Sequence, residues 1–461
     1  MIKTIKIVSV LIIVILAFNL RYKNFYEVPI SGSSMDEYSY SWVGFSLIKN
    51  GYPVGLSGLP GYKNIARRYV NSDLVLNKVA SGPLPLNYPW FDHPPALGLL
   101  TGGFAYIKGA QNLEDIRLQV ARQPMVILGT LSVLLVFILA YVNFGYMVAI
   151  ISSAIYAVEP MTVIGSRMIQ GENGVIPFML LSLIFISIYL KSNNFHKLIW
   201  SGIFAGISML FKLSGVVSVI ACLVLILLLD KKKSKLVDAF SLVAVSLSIA
   251  SLFGIYGLFY DWTTFKNIIF SNASRFYGIG ADSIYRLLAR TSIVSNKNLP
   301  DGWILVGWMS IFSLLGIKNK KKLLIIIPLL AYLIVYIFFG SYLYFWYTLP
   351  FLPLLAIASG YVIQKIIIKK QLIKGVFLSI IPLGVGISSI ISLSYFQVFA
   401  LYWRIILPIL LVLFFIGEYF KNKKVTSIGQ YIIYFCLLTA LIANSIFVLK
   451  FGINSWYSFS W

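Results

Sequence analysis

About thirteen long apolar segments recur along the chain, each close to the roughly 20 residues that a hydrocarbon core demands. They are continuous and rich in Leu and Ile, without the period-two alternation of a membrane β-barrel, so the pattern predicts membrane-spanning helices. The predicted spans lie near residues 6–20, 119–141, 147–164, 174–190, 198–210, 213–229, 239–259, 303–317, 323–339, 343–364, 375–394, 403–419 and 428–449. The expected fold class is an all-α polytopic membrane protein.

Composition strengthens this interpretation. Hydrophobic residues make up 59% of the 461 positions and charged residues 11%, against roughly 45–50% and about 25% in soluble proteins. A soluble multidomain enzyme is therefore excluded. Cys222 and Cys436 both fall inside apolar runs, which excludes a disulfide framework and a cysteine-based metal site. His93 and His196 are predicted on opposite membrane faces, so zinc is not expected, and the sequence calls for no cofactor.

The net charge of +23 favours membrane lipids over nucleic acid as the partner, because of where the charges lie. If the amino terminus is inside, the lysine clusters at 231–235, 318–322, 365–374 and 421–424 all face the cytoplasm, as the positive-inside rule requires. All ten arginines are then outside. A planar guanidinium suits phosphate binding, although in long loops the charge rule is weak. We expect a multi-pass plasma-membrane protein with its active site on the outer face.

Two predicted outer loops, 21–118 and 260–302, are too long to be simple connectors and are expected to carry function. The first contains apolar stripes near 37–49 and 95–108 that are too short to span, which predicts helices lying flat in the membrane interface. The segment before them, near 6–20, follows Lys3 and Lys6 and lacks a small-residue cleavage site, as an uncleaved signal anchor would.

An acidic pair, Asp36-Glu37, opens the first of these interfacial helices. A carboxylate in a partly dehydrated loop has a raised proton affinity, which suits a general base near neutral pH. Acidic residues at a helix start are also typical of a simple N-cap with favourable helix-dipole interactions. The pair alone leaves both interpretations open.

A second group is Phe91-Asp92-His93-Pro94-Pro95, in which two prolines fix the backbone and Asp92 or His93 caps the following helix. A helix amino terminus beside an imidazole can bind an anion. The alternative is a rigid turn with one solvated histidine.

Charged residues are predicted at the edge of the membrane in two further places. Arg167 and Glu172, between the third and fourth spans, are costly there unless they form a structural bridge or line a functional cavity. Lys212 interrupts the apolar stretch between the fifth and sixth spans, which predicts a break that is buried or lines a cavity. This lysine would either neutralise a lipid phosphate or snorkel to the interface.

Taken in order, these patterns resemble the GT-C glycosyltransferases of the dolichyl-phosphate-mannose protein mannosyltransferase type, to which the lipid A aminoarabinose transferases are related. The resemblance covers roughly residues 1–365. It rests on Asp-Glu after span one, His-Pro-Pro, Ser-Arg-x4-acid after span three, Gly-x3-Gly-x5-Lys ending at Lys212, and an aromatic-Tyr-x2-Pro-x2-Pro stretch containing Tyr347.

The resemblance implies a GT-C fold and an inverting sugar transfer from a polyprenyl-phosphate donor to a protein, lipid or glycan acceptor, without nucleotide sugar or essential metal. It implies Asp36 as the general base and Glu37 as its catalytic neighbour, and His93 and Lys212 as groups that bind the donor phosphate. Cavity or acceptor-side residues would be Asp92, Arg167, Glu172 and Tyr347.

The chain also departs from the family. Ser39 stands where the aminoarabinose transferases have a phosphate-contacting arginine, so Arg275, Arg286 and Arg290 in the second outer loop are the expected substitutes. That loop has no room for a large soluble module, and residues 50–90 resemble an inserted loop that could shape an acceptor groove.

We therefore expect residues 1–365 to form the catalytic membrane domain and 366–461 a scaffold of transmembrane helices. The rival function is a secondary transporter or lipid flippase without glycosyl transfer, since broken helices and membrane charges occur in those proteins too. A non-catalytic lipid-binding scaffold is the third class.

Overall fold

A computed structural model describes most of the chain. The described residues are 2–31, 33–34, 36–62, 67–70, 84–275, 284–285, 287–288, 292–294, 297–340, 345–391, 393–420 and 423–458.

The described residues fold mainly into helices. These are α1 (Ile2–Tyr22), α2 (Asp36–Asn50), α3 (Ala96–Ile107), α4 (Leu118–Ala121), α5 (Gln123–Phe144), α6 (Tyr146–Val158), α7 (Pro160–Gly165), α8 (Gly171–Ser192), α9 (Phe195–Phe211), α10 (Val216–Leu229), α11 (Lys235–Tyr260), α12 (Trp262–Ala273), α13 (Gly302–Leu315), α14 (Leu323–Val335), α15 (Leu352–Lys369), α16 (Leu372–Ser388), α17 (Leu393–Tyr419), α18 (Lys423–Lys450) and α19 (Ile453–Ser458).

Short irregular elements connect them. Single 3-10 turns occur at Pro60–Tyr62, Leu113–Asp115, Leu213–Gly215 and Lys320–Lys322, a π-turn at Tyr336–Gly340, and a longer 3-10 segment at Phe345–Phe351. Two antiparallel hairpins lie in the two loops that the sequence predicts to be outer: β1 (Arg67–Val70) with β2 (Leu84–Asn87), and β3 (Ser292–Val294) with β4 (Lys297–Asn298). The first hairpin pairs Arg67 with Asn87, within the segment expected to be an inserted loop.

The all-α polytopic fold class predicted from the sequence is confirmed. Seven helical segments in the described part of the chain are long and apolar enough to cross a membrane, and shorter apolar helices of 10–17 residues accompany them. In the described residues, every segment predicted as a span overlaps a helix, although Glu159 divides the third into α6 and α7. The exact number of thirteen spans stays a prediction.

The helices pack into one extensive apolar core. Helix α5 lies against α1, α6 and α8, while α8 packs on α9 and α9 on α11. Helix α15 packs on α6 and α13, and α16 on α18. Buried residues from α1, α5, α8 and α15 belong to the same hydrophobic cluster, so these helices share one continuous core.

Both stretches predicted as interfacial helices are helical, and the two helices form a close pair. Helices α2 and α3 pack with almost no side chain between them at Gly102: a Cβ there would lie 2.2 Å from the carbonyl oxygen of Ser41 and 2.3 Å from the nitrogen of Phe45. Only glycine allows two backbones to approach this closely. Helix α3 therefore supports α2, whose first residue is Asp36.

Replacing Gly102 by Ala should destabilise the protein by about 1–3 kcal/mol, because the methyl group would force α2 and α3 apart. Gly103→Ala is the matched control: it makes the same change one residue along α3, where the new Cβ would meet only the terminal methyl of Ile48, at 2.9 Å. Both substitutions gain the same helix propensity, which cancels in the comparison. Apparent melting temperatures of the purified variants check this, and equal values would contradict the close packing.

Candidate functional site

Three fully buried arginines fix the connector between α1 and α2. Arg167 donates hydrogen bonds to the carbonyl oxygens of Leu20, at 2.7 Å, and Val28, at 3.2 Å. Arg21 donates to two carbonyl oxygens at the end of α6, each at 3.1 Å. Arg122 donates to two more in the connector, at 3.0 and 2.7 Å. The chain therefore enters α2 from a fixed position.

Glu37 and Arg122 form a buried, bidentate ion pair. The distances are 2.6 Å between Arg122 Nη2 and Glu37 Oε2, and 2.8 Å between Nε and Oε1. Both side chains are fully buried, and Glu37 Oε1 also accepts a hydrogen bond from the backbone N–H of Ile169, at 2.9 Å. Charge-assisted bidentate pairs of this type fix orientation strongly. Glu37 thus ties the first turn of α2 to α5 and to the start of α8.

Asp36 lines a cavity of about 700 Å³. Successive residues of a helix diverge by about 100°, so Asp36 faces the cavity while Glu37 faces Arg122. Burial raises the pKa of the Asp36 carboxyl above its usual range, and the positive charge of Lys212 acts in the opposite direction. The arrangement gives a carboxylate that is poorly hydrated and close to a cation.

Lys212 forms the base of the cavity. Its Nζ lies 2.5 Å from Glu172 Oε1 and 4.0 Å from the centroid of the Tyr347 ring. The lysine is 5% exposed and lies at the break between α9 and α10, where the backbone leaves the helix. The ammonium group of Lys212 thus faces the cavity, and the carboxylate of Glu172 compensates the cost of burying that charge.

Asp92 and His93 form one wall. Asp92 Oδ1 accepts a hydrogen bond from Ser57 Oγ at 2.9 Å. Burial raises the pKa of the Asp92 carboxyl to about 7, although hydrogen bonds from Ser57 and Tyr62 act in the opposite direction. Burial, with the charges of Lys212 and Arg275, lowers the pKa of the His93 imidazole well below its usual range. A carboxyl and an imidazole thus lie next to each other in the cavity lining.

Aromatic rings hold His93 in place. Its imidazole stacks on the Tyr40 ring with centroids 5.5 Å apart, and the Trp90 ring lies edge-on at 6.1 Å. Helix α3 begins at Ala96 with Pro95 at its N-cap and without a side-chain cap, so the expectation that Asp92 or His93 caps this helix is wrong. The side chain of Asp92 instead accepts from Ser57 in the preceding loop.

Residues at and just after the end of α12 also line the cavity. At the end of α12, Asn272 Nδ2 donates a hydrogen bond to the carbonyl oxygen of Asp92 at 2.5 Å, and Arg275 lines the cavity. Ser39, where an arginine was expected from related transferases, also lines it and donates to the carbonyl oxygen of Leu56 at 2.9 Å. Arg275 therefore lies in the same cavity as the residue it was expected to replace.

The structure brings together six of the residues predicted from the sequence, which all line this cavity: Asp36, Asp92, His93, Lys212, Arg275 and Tyr347. It places three others outside the lining: Glu37 pairs with Arg122, Arg167 binds backbone carbonyls, and Glu172 lies behind Lys212. Of the two alternatives for Arg167 and Glu172, a structural bridge between them is not formed, because Arg167 donates to backbone carbonyls and Glu172 pairs with Lys212. Arg286 and Arg290 lie outside the described residues.

Sequence reasoning missed Arg122, Tyr40 and Ser57. Arg122 precedes Gln123 and Pro124 at the start of α5, so an arginine at a membrane edge beside a helix-starting proline was the available signal. Tyr40 and Ser57 carry no comparable signal, because their place at the site depends on how residues 51–62 pack against α2.

No group of three His, Cys, Asp or Glu side chains in the described ranges could hold a metal ion. The charged groups of the cavity can instead bind an anion at Lys212 and Arg275, and accept a proton at Asp36 or Asp92.

Several solved structures share the fold of this chain. ArnT from Cupriavidus metallidurans in the apo state matches with a TM-score of 0.59 and 14% identity, over 97% of this chain and 77% of that chain. The same protein bound to undecaprenyl phosphate matches with a TM-score of 0.57 and 14% identity, over 96% and 76%.

A third match is AglB, the oligosaccharyltransferase from Archaeoglobus fulgidus, in complex with an inhibitory peptide and a dolichol-phosphate. Its TM-score is 0.58 at 12% identity, over 97% of this chain and 56% of that chain. At these identities the likeness concerns the fold. The chain is a multi-pass integral membrane protein with a GT-C fold, as the sequence predicted.

The sequence comparison is more specific. Residues 92–256 match the family model of the dolichyl-phosphate-mannose-protein mannosyltransferases. This segment contains Asp92, His93 and Lys212 and ends within α11. No curated protein matches the chain. Fold and family match together support a glycosyltransferase that uses a lipid-phosphate sugar.

Replacing Glu37 by Gln should lower the free energy of unfolding by about 3–5 kcal/mol, because it leaves Arg122 as a buried charge without its carboxylate. Asp36→Asn is the matched control, since it makes the same chemical change at the adjacent position without touching the ion pair. Apparent melting temperatures and limited proteolysis within 21–118 check this. A Glu37→Gln protein as stable as Asp36→Asn would mean that the ion pair does not fix α2.

Proposed function

We propose that the chain transfers a sugar from a polyprenyl-phosphate donor to an acceptor on the outer face of the plasma membrane. The observation that carries this proposal is the cavity in which the Asp36 carboxylate and the cations Lys212 and Arg275 face one space at the ends of the membrane helices. The GT-C fold and the mannosyltransferase family match support it. So does the presence of undecaprenyl phosphate or dolichol-phosphate in structures with this fold.

The donor phosphate would lie between Lys212 and Arg275. Lys212 is pre-positioned, because Glu172 and the Tyr347 ring hold its ammonium group at the cavity base. Arg275 supplies a guanidinium that can bind two phosphate oxygens at once. His93 would contribute a hydrogen bond to the same phosphate, and Arg286 and Arg290 are proposed as further contacts. The polyprenyl tail would remain in the lipid.

Asp36 would act as the general base. The acceptor O–H loses its proton to the Asp36 carboxylate while the acceptor oxygen forms a bond to the anomeric carbon of the sugar. The bond from that carbon to the phosphate oxygen breaks, and its electron pair stays with the polyprenyl phosphate. Lys212 and Arg275 would stabilise this leaving group. A single displacement of this kind inverts the configuration at the anomeric carbon.

The raised pKa of Asp36 matches a base that works near neutral pH. The carboxyl must be ionised to accept a proton, so turnover should rise as the pH rises through the pKa of Asp36 in the donor complex. Bound phosphate would add negative charge to the cavity and move that pKa further upward.

The acceptor class is a protein, a lipid or a glycan. Residues 50–62 contribute Leu56, Ser57 and Pro60 to the cavity rim, which supports an acceptor groove on this side. We assign residues 1–365 to the catalytic membrane domain and 366–461 to a helical scaffold. Asp92 belongs to the wall next to this groove, where its Ser57 contact orients it.

The proposal predicts that Asp36→Asn lowers turnover by about 10²–10⁴-fold while donor binding survives, because the amide keeps the shape but cannot accept the proton. The matched control is Asp261→Asn at the N-cap of α12, outside the cavity lining, where Asn caps a helix about as well as Asp. Transfer from a synthetic polyprenyl-phosphate sugar, measured at saturating donor with the product identified by mass, checks both variants. Near-normal transfer by a folded Asp36→Asn protein would remove the base assignment and favour a transporter or flippase.

A further inference from the structure

A second cavity lies between α13, α15 and α16, with a volume of about 580 Å³. We refer to it as the lysine groove. Three lysines line it, Lys365 and Lys369 at the end of α15 and Lys374 in the first turn of α16. Its lining contains no acidic residue. The groove therefore presents a positive charge that the described part of the chain does not balance with an ion pair.

The rest of the groove is apolar and faces outward from the helix bundle. Phe312 is 60% exposed and Phe377 54% exposed, and Met309 lies beside them. In a membrane protein such exposed side chains contact the lipid tails. The groove thus combines cations with an apolar surface that continues into the bilayer. This combination complements an anionic lipid, which has a charged headgroup and apolar chains.

The groove and the cavity at Asp36 lie at opposite ends of α15. Trp346 and Tyr347, just before α15, line the donor cavity, whereas Lys365 and Lys369, in its last turns, line the groove. Helix α15 has 18 residues and is therefore about 27 Å long at 1.5 Å per residue. This length is close to the roughly 30 Å of a hydrocarbon core. A ligand of the groove is accordingly a different molecule from the donor.

We propose that the lysine groove binds an anionic phospholipid of the membrane leaflet opposite the donor cavity. Its phosphate would contact Lys365, Lys369 and Lys374, and an acyl chain would lie along Phe312 and Phe377. Lys365 belongs to the predicted catalytic region and Lys374 to the predicted scaffold, so one lipid would join the two. The proposal does not depend on the chain being a transferase.

The test compares phosphatidylglycerol with phosphatidylcholine of the same acyl chains, by native mass spectrometry and by thermal shift of the purified full-length protein. Phosphatidylglycerol should bind at least about ten-fold more tightly and raise the melting temperature, since each lysine near a phosphate contributes measurably. The triple variant Lys365→Gln, Lys369→Gln, Lys374→Gln should lose this preference.

The matched control removes three other exposed lysines with the same change in net charge: Lys318→Gln, Lys320→Gln and Lys321→Gln, outside the groove lining. It should keep the preference, and replacing the three groove lysines by Arg should restore it. The melting temperatures without added lipid establish that each variant is folded.

Three results would overturn the proposal. The triple variant could bind phosphatidylglycerol as the control does, which would mean that the groove is not the site. Inorganic phosphate could displace the lipid completely, which would make the groove a site for a free anion. Polyprenyl phosphate could displace it at far lower concentration, which would make the groove a carrier site.

Discussion

The site depends on the buried ion pair between Glu37 and Arg122. Because the two acidic residues that open α2 point in different directions, fixing one determines the position of the other. Glu37 is held by two charge-assisted hydrogen bonds from Arg122 and one from the backbone of Ile169. Asp36 is consequently presented to the cavity at a defined angle. Breaking the pair would affect the proposed base without any direct change to it.

The cavity also brings groups of opposite charge together. The cavity contains two carboxyls, Asp36 and Asp92, together with the cations Lys212 and Arg275, and Glu172 compensates Lys212 from behind. Carboxyls in such a space keep their protons more readily than in water, as their raised pKa values indicate. An anionic donor would enter a site in which positive charge is already fixed and little reorganisation is needed.

The sequence predicts the helices well and the contacts less well. The apolar pattern locates the spans as continuous hydrophobic runs. It locates α2 and α3 as shorter, interrupted apolar stripes. The sequence also selects Asp36, His93 and Lys212, through its motifs and their family resemblance, and the structure brings these residues to one cavity. The sequence cannot predict that Glu37 pairs with Arg122, since these residues are 85 positions apart and their meeting depends on tertiary packing. The hairpin β1–β2 is missed for a similar reason, because Gly, Pro and Asn indicate a loop without fixing its pairing.

The most direct test of this account follows a labelled sugar on a synthetic polyprenyl phosphate, with the purified protein and separate acceptor fractions of membrane lipid, glycan and protein. The account predicts that the label passes to one acceptor fraction, that one polyprenyl phosphate is released for each sugar transferred, and that nucleotide sugar cannot replace the donor. The contradicting result is that the protein binds the donor while the label stays on the polyprenyl phosphate with every acceptor fraction.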